Sequence, residues 1–124
     1  MRREACRGSP SRRTFANYFT VVRRGPFQFN FSVGVDSCRV ELWIEQGELS
    51  DALAQDRESI HRSLGVTLEW VNNPKCRSAR IFWVPGGTCG WRSPPDERRA
   101  GYEVLADAMY RFHETLIPYI ERHI

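Results

Sequence analysis

The chain has 124 residues, of which 41% are hydrophobic and 12% aromatic, and a formal net charge of +3. That length suits one domain that buries its own core without metal or disulfide staples, and no run approaches the ~18 apolar residues of a membrane span. Residues 1–13 hold Arg2, Arg3, Arg7, Arg12 and Arg13 against Glu4, so the rest of the chain is left with one negative charge in excess; a generally basic folded surface is excluded.

The arginine-rich N-terminus has no apolar stretch behind it, so it does not read as a secretory signal, and the expected compartment is the cytoplasm. Residues 1–13 mix Arg, Gly, Ser and Pro without periodicity. They are expected to form a disordered basic tail, with a single domain over 14–124. Thr14 to Val22 is rich in β-branched and aromatic residues and predicts a first strand. A turn follows at Arg23-Arg24-Gly25-Pro26. Phe27, Phe29, Phe31 and Val33 then alternate with polar residues, the period of a half-buried strand. After a second turn, Val40, Leu42 and Ile44 alternate with Arg39, Glu41, Trp43 and Glu45 to give the central strand.

Three strands joined by short turns predict an antiparallel meander. Ser50 is expected to cap a helix running to about Leu64, with Leu53, Ile60 and Leu64 on one face and Gly65 as its stop. Val66 to Val71 and Ser78 to Val84 predict a fourth and fifth strand, hairpinned through Asn72-Asn73-Pro74. Ser93 is expected to cap the last helix, with Asp96 in a capping box. Tyr102, Leu105, Met109, Phe112, Leu116 and Tyr119 form an apolar stripe along it, best used to cover the chain's own sheet. Pro118 should kink or end that helix near residues 114–117. The expected fold is therefore α+β in two layers. A mostly antiparallel five-stranded sheet in the order β-β-β-α-β-β-α carries two helices on one face.

Motifs that would carry chemistry are missing. Pro85-Gly86-Gly87 lacks the Gly-Lys-Ser/Thr of a phosphate loop, and no serine sits in a G-x-S-x-G elbow. Cys6, Cys38, Cys76 and Cys89 show no C-x-x-C pair, and His61, His113 and His123 have no ligand spacing. Neither a metal nor another cofactor is implied. Glu41 and Glu45 share a strand face, but the only lysine is Lys75 and no Glu-x-Lys follows them, so a metal-dependent nuclease is the weakest alternative.

The sheet face away from the helices offers more. Alternation places Arg39, Glu41 and Trp43 there, and Arg80 and Phe82 beside them on the fifth strand. Aromatic rings among arginines have the composition of an interaction hot spot and also suit base stacking. Either this face is a contact surface, or the N-terminal arm or a loop covers it. Any nucleic-acid contact would draw mainly on Arg2, Arg3, Arg7, Arg12 and Arg13.

Several stretches resemble one family. Arg39-Val40-Glu41-Leu42-Trp43-Ile44-Glu45 is similar to an "RVELYI" strand. Glu58-Ser59-Ile60, Leu64-Gly65 and Leu68-Glu69-Trp70 are similar to "EAIE…LG…LEW". Ser78-Ala79-Arg80-Ile81 resembles "ASRI", and Arg111-Phe112 to Pro118 a closing "RF…F.P". These are features of the bacterial domain of unknown function 4268 family, often attached behind a PD-(D/E)XK restriction-endonuclease-like half. The resemblance runs over about residues 14–120 and departs at Trp43, where the family has tyrosine. It implies an α+β domain and a nuclease-like half or other protein as partner, and supplies no catalytic residues. The expected function is a non-catalytic accessory or protein-interaction domain. A nucleic-acid-binding module is the alternative, and a homodimer is a further partner option.

Overall fold

A computed structural model describes residues 15–73, 78–88 and 90–124. The described strands are β1 (Phe15–Arg24), β2 (Phe27–Gly34), β3 (Cys38–Ile44), β4 (Glu69–Asn73) and β5 (Ser78–Trp83). The helices are α1 (Gly47–Ala54), α2 (Arg57–Leu64) and α3 (Pro95–Ile120), and a 3-10 turn follows at Glu121–His123. The five strands form one open sheet in the order β1-β2-β3-β5-β4, antiparallel at every pairing. The α+β architecture is the expected one.

Register explains the core. Phe27 lies opposite Ile44, Phe29 opposite Leu42, and Leu42 opposite Ile81, so one sheet face is a continuous apolar layer. Phe27, Phe29, Val40, Leu42, Ile44 and Ile81 are completely buried. The stripe of α3 closes over them: Phe112 meets Phe29 edge-on, with ring centroids 5.9 Å apart. Leu105, Met109, Phe112 and Leu116 are buried, so the stripe packs on the chain's own sheet. Tyr102, at its N-terminal end, stays 40% exposed.

Among the described residues there are three helices rather than two. The run expected from Ser50 to Leu64 breaks at Gln55-Asp56. There, the Gln55 and Asp56 N–H groups bond back to Ala52 and Leu53 at 3.3 and 2.9 Å, a tightened turn that closes α1. The break lets Leu53 and Ile60, one on each helix, both be fully buried. Ser50 is not a cap but a buried residue inside α1, which begins three residues earlier and so also brings Leu49 against the core. Gly65 ends α2 in the left-handed conformation, φ 83°, as a stop glycine does. Strand β4 starts at Glu69, not Val66, because the Leu68 N–H is donated to His61 Nε2. It extends through Asn72 and Asn73, which pair with Ala79 and Ser78 and do not form part of the expected turn.

Two expectations for α3 also change. Its N-cap is Pro94 with no side-chain cap bond; Ser93 Oγ instead accepts the Gly90 N–H at 3.2 Å. Pro118 does not end the helix, which continues to Ile120. Pro118 is exposed and sits within the last turn, so the Glu114 carbonyl loses its usual intrahelical donor on the solvent side only two residues before the helix ends.

Candidate functional site

The five residues singled out on the outer sheet face do come together. Glu41 lies opposite Phe82 and Trp43 opposite Arg80 across β3 and β5. Arg39 donates from Nη2 to Glu41 Oε1 at 2.8 Å, and its guanidinium carbon stands 4.4 Å from the centre of the Phe82 ring. The expected exposure is not observed throughout. Arg39 and Glu41 are 4% and 1% exposed, and Trp43, Arg80 and Phe82 are half-buried. Arg39 is thus committed to a carboxylate and a ring, as a buried cation requires.

Burial also sets the state of Glu41. Loss of solvent pushes its carboxyl up from the usual 4.5, and the nearby Arg39 and Arg80 charges pull in the opposite direction. Its second oxygen, Oε2, and the Ser32 hydroxyl on the same face find no hydrogen bond among the described residues. Glu45 turns to Arg23 in an exposed ion pair. The two acids therefore have separate arginine partners and do not converge on a shared centre. No group of three or more His, Cys, Asp or Glu that could hold a metal occurs among the described residues. Arg2, Arg3, Arg7, Arg12 and Arg13 lie outside the described residues, as do the rest of the 1–13 tail, Cys6, Cys76 and Cys89.

A second feature was not legible as a site. An apolar groove of about 340 Å³ opens between β1 and α3. Phe19 of β1, Phe31 and Val33 of β2, Trp91, and Tyr102 and Ala106 of α3 line it. Phe19, Trp91 and Tyr102 remain 55%, 44% and 40% exposed. Trp91 is nonetheless held in place: its N–H donates to the Gly34 carbonyl at 3.0 Å, and that of Arg92 to the Val35 carbonyl at 3.2 Å. Thr88 Oγ1 ties the same loop to β3 by accepting the Cys38 N–H at 3.1 Å. The loop after β5 is thus laced to the β2–β3 turn. In the sequence Tyr102 belongs to the apolar stripe of the last helix, and Trp91 follows a glycine-rich stretch with no periodicity around it. The available signal was that the α3 stripe has Arg98 and Arg99 in the turn before Tyr102, so its apolar cover runs out there.

No curated protein and no solved structure matches this chain. Residues 2–120 match the family model described as domain of unknown function DUF4268, a span that takes in the arginine-rich stretch as well as every strand. The match covers nearly the whole sequence given, and the chain belongs to the DUF4268 family.

Proposed function

We propose that this domain is a non-catalytic accessory module that docks a partner polypeptide through apolar side chains seated in the groove between β1 and α3. One observation carries the reading: Trp91 is 44% exposed although its own backbone and the flanking loop are pinned to β2 and β3. A fixed, half-exposed tryptophan beside Phe19 and Tyr102 loses little freedom on binding, and Trp and Tyr are the residues that dominate interface energies. Backbone pairing along the edge strand is a poorer route. The register of β1 on β2 shifts between Phe15 and Asn17 and between Thr20 and Val22, and such bulges blunt an edge.

The resemblance to bacterial domains that follow restriction-endonuclease-like halves makes a nuclease-like polypeptide the first partner to test. A bacterial, cytoplasmic setting fits the same reading. Direct cleavage is less well supported, since Glu41 and Glu45 are each held by an arginine.

The test is co-purification of the full chain with a nuclease-like polypeptide encoded beside it, followed by reconstitution from the purified components. Phe19→Asp combined with Tyr102→Asp should abolish the complex while lowering the circular-dichroism melt only modestly, because neither side chain belongs to the fully buried core. A complex that survives this pair of changes would sink the groove as the docking site.

A further inference from the structure

Away from both regions, α2, β4, β5 and α3 meet in a corner built from arginine and tryptophan. The Arg57 guanidinium lies over the Trp70 ring at 5.0 Å, and that of Arg111 over the Trp83 ring at 5.5 Å. Trp70 pairs with Ile81 across β4 and β5, so Trp83, two residues further on, is its diagonal neighbour on the same face. Such diagonal positions are roughly 7–8 Å apart. The corner is continuous. His61 Nε2 accepts both the Trp70 indole N–H at 3.1 Å and the Leu68 N–H at 3.2 Å. Arg111 Nη2 donates to the Leu64 carbonyl at 2.8 Å, closing the end of α2 against α3.

We infer that this corner is a second binding site, for single-stranded nucleic acid, in which the ring-backed guanidiniums of Arg57 and Arg111 engage phosphates and bases. Both arginines are exposed, and neither closes an ion pair among the described residues. Asp56 and Glu58 beside Arg57, and Asp107 and Glu114 within a turn of Arg111, form no ion pair with them; Asp56 faces Arg122 and Glu114 faces His113 instead. Arg62 adds a third exposed cation on α2, and Glu69 of β4 alternates onto the opposite sheet face with Phe82. A guanidinium held over a ring is oriented in advance: one side rests on tryptophan, and the other side remains for the ligand, with the N–H groups of Arg57 and those of Arg111 that do not bond the Leu64 carbonyl. Unpaired bases stack on such planes while their phosphates take the N–H groups. An acidic peptide would use the charge but leave the flat faces unanswered. The local field is already felt within the fold. Burial first, and then the Arg57 charge, hold His61 below the usual histidine range. A phosphate seated on Arg57 would reverse the second effect.

The experiment uses the full chain and labelled mixed-sequence oligonucleotides, one DNA and one RNA, followed by anisotropy over a range of salt. The wild type should bind single strands, and the sugar of the tighter ligand identifies the source. Arg57→Gln with Arg111→Gln should weaken binding about tenfold or more and reduce the salt slope by about 1.4, two phosphate contacts at roughly 0.7 each. Arg111 also supports the α2 terminus, so Arg57→Gln alone is the control for folding; it should reduce the slope by about 0.7 with an unchanged melt. In parallel, proton NMR should show the His61 titration midpoint rising when oligonucleotide is added. Unchanged affinity and slope in the variants would overturn the site and leave any binding to the arginine-rich N-terminal stretch. An unmoved His61 midpoint, or equal binding of polyglutamate, would also overturn it.

Discussion

Gly90 lies so close to Val35 that a Cβ at Gly90 would overlap the Val35 carbonyl and the following peptide nitrogen. Backbone meets backbone there without room for a side chain, and the Trp91 and Arg92 N–H bonds to Gly34 and Val35 depend on that approach. Gly90→Ala should cost about 1–3 kcal/mol, the usual penalty for forcing extra volume into a packed site. Its more specific effect is on Trp91, which would lose its fixed position at the groove. Urea unfolding measures the first effect, and the Trp91 indole resonance the second. A variant with wild-type values in both would mean that the two loops are not held together by this contact.

Leu42 and Trp43 are neighbours with opposite duties. Leu42 is fully buried between Phe29 and Ile81, whereas Trp43 is half-buried on the outer face beside Arg80. Leu42→Ala should lower stability by about 2–5 kcal/mol. Trp43→Ala should cost less and leave a cooperatively folded domain. Thermal melts of both variants decide this; the reverse order would mean that the outer-face residue carries core packing.

The alternation around Leu42 made the sheet readable: each β2 and β3 residue has one face available to it, and that rule alone put Arg39, Glu41 and Trp43 together. Burial on the outer face was not readable the same way, because charged residues at period two look like a solvated surface whether or not something covers them. Arg39 and Glu41 share a face at i and i+2, yet a sequence does not show that their charges close on each other at 2.8 Å. The split of α1 from α2 escaped for a related reason. Leu53 and Ile60 fit one helical stripe, and the turn at Gln55-Asp56 has neither Gly nor Pro to mark it. The groove escaped because it joins Phe19 of β1 to Trp91 and Tyr102 near the other end of the chain, a contact that no local pattern marks.

The Arg39–Glu41 pair should be costly to break from one side. Arg39→Met leaves a buried carboxylate without its charge partner, a change worth about 3–5 kcal/mol. Glu41 also ties stability to pH. Its carboxyl is raised in the fold, so the folded chain holds a proton more tightly than the unfolded chain above 4.5. Stability from this group is complete below 4.5 and is lost as pH rises through the folded value. The Arg39→Met deficit should therefore shrink on acidification, and Glu41→Gln should flatten the corresponding part of the pH–stability curve. Denaturant midpoints across the acid range test both; parallel curves for Glu41→Gln and wild type would mean that Glu41 titrates alike in the two states.

His61 imposes the opposite sign. Its Nε2 is an acceptor for both Trp70 and Leu68, so the proton of the neutral ring resides on Nδ1, and protonating Nε2 would remove both bonds at once. Burial and Arg57 lower the folded affinity for that proton below the ordinary 6.5. Between the folded value and 6.5 the unfolded chain takes up a proton that the folded chain refuses. The contribution of His61 is thus present above 6.5 and is lost as pH falls through the folded value. The first visible consequence should be local: protection of the Leu68 amide and the Trp70 indole N–H should drop on mild acidification, ahead of the core amides at Leu42 and Ile81. His61→Gln offers an acceptor that does not titrate, and should abolish the acid-dependent loss at these two sites. Hydrogen exchange followed by NMR between neutral and mildly acidic pH separates the outcomes. If Leu68 and Trp70 lose protection equally in the Gln variant, the acid sensitivity of this corner arises elsewhere than at His61.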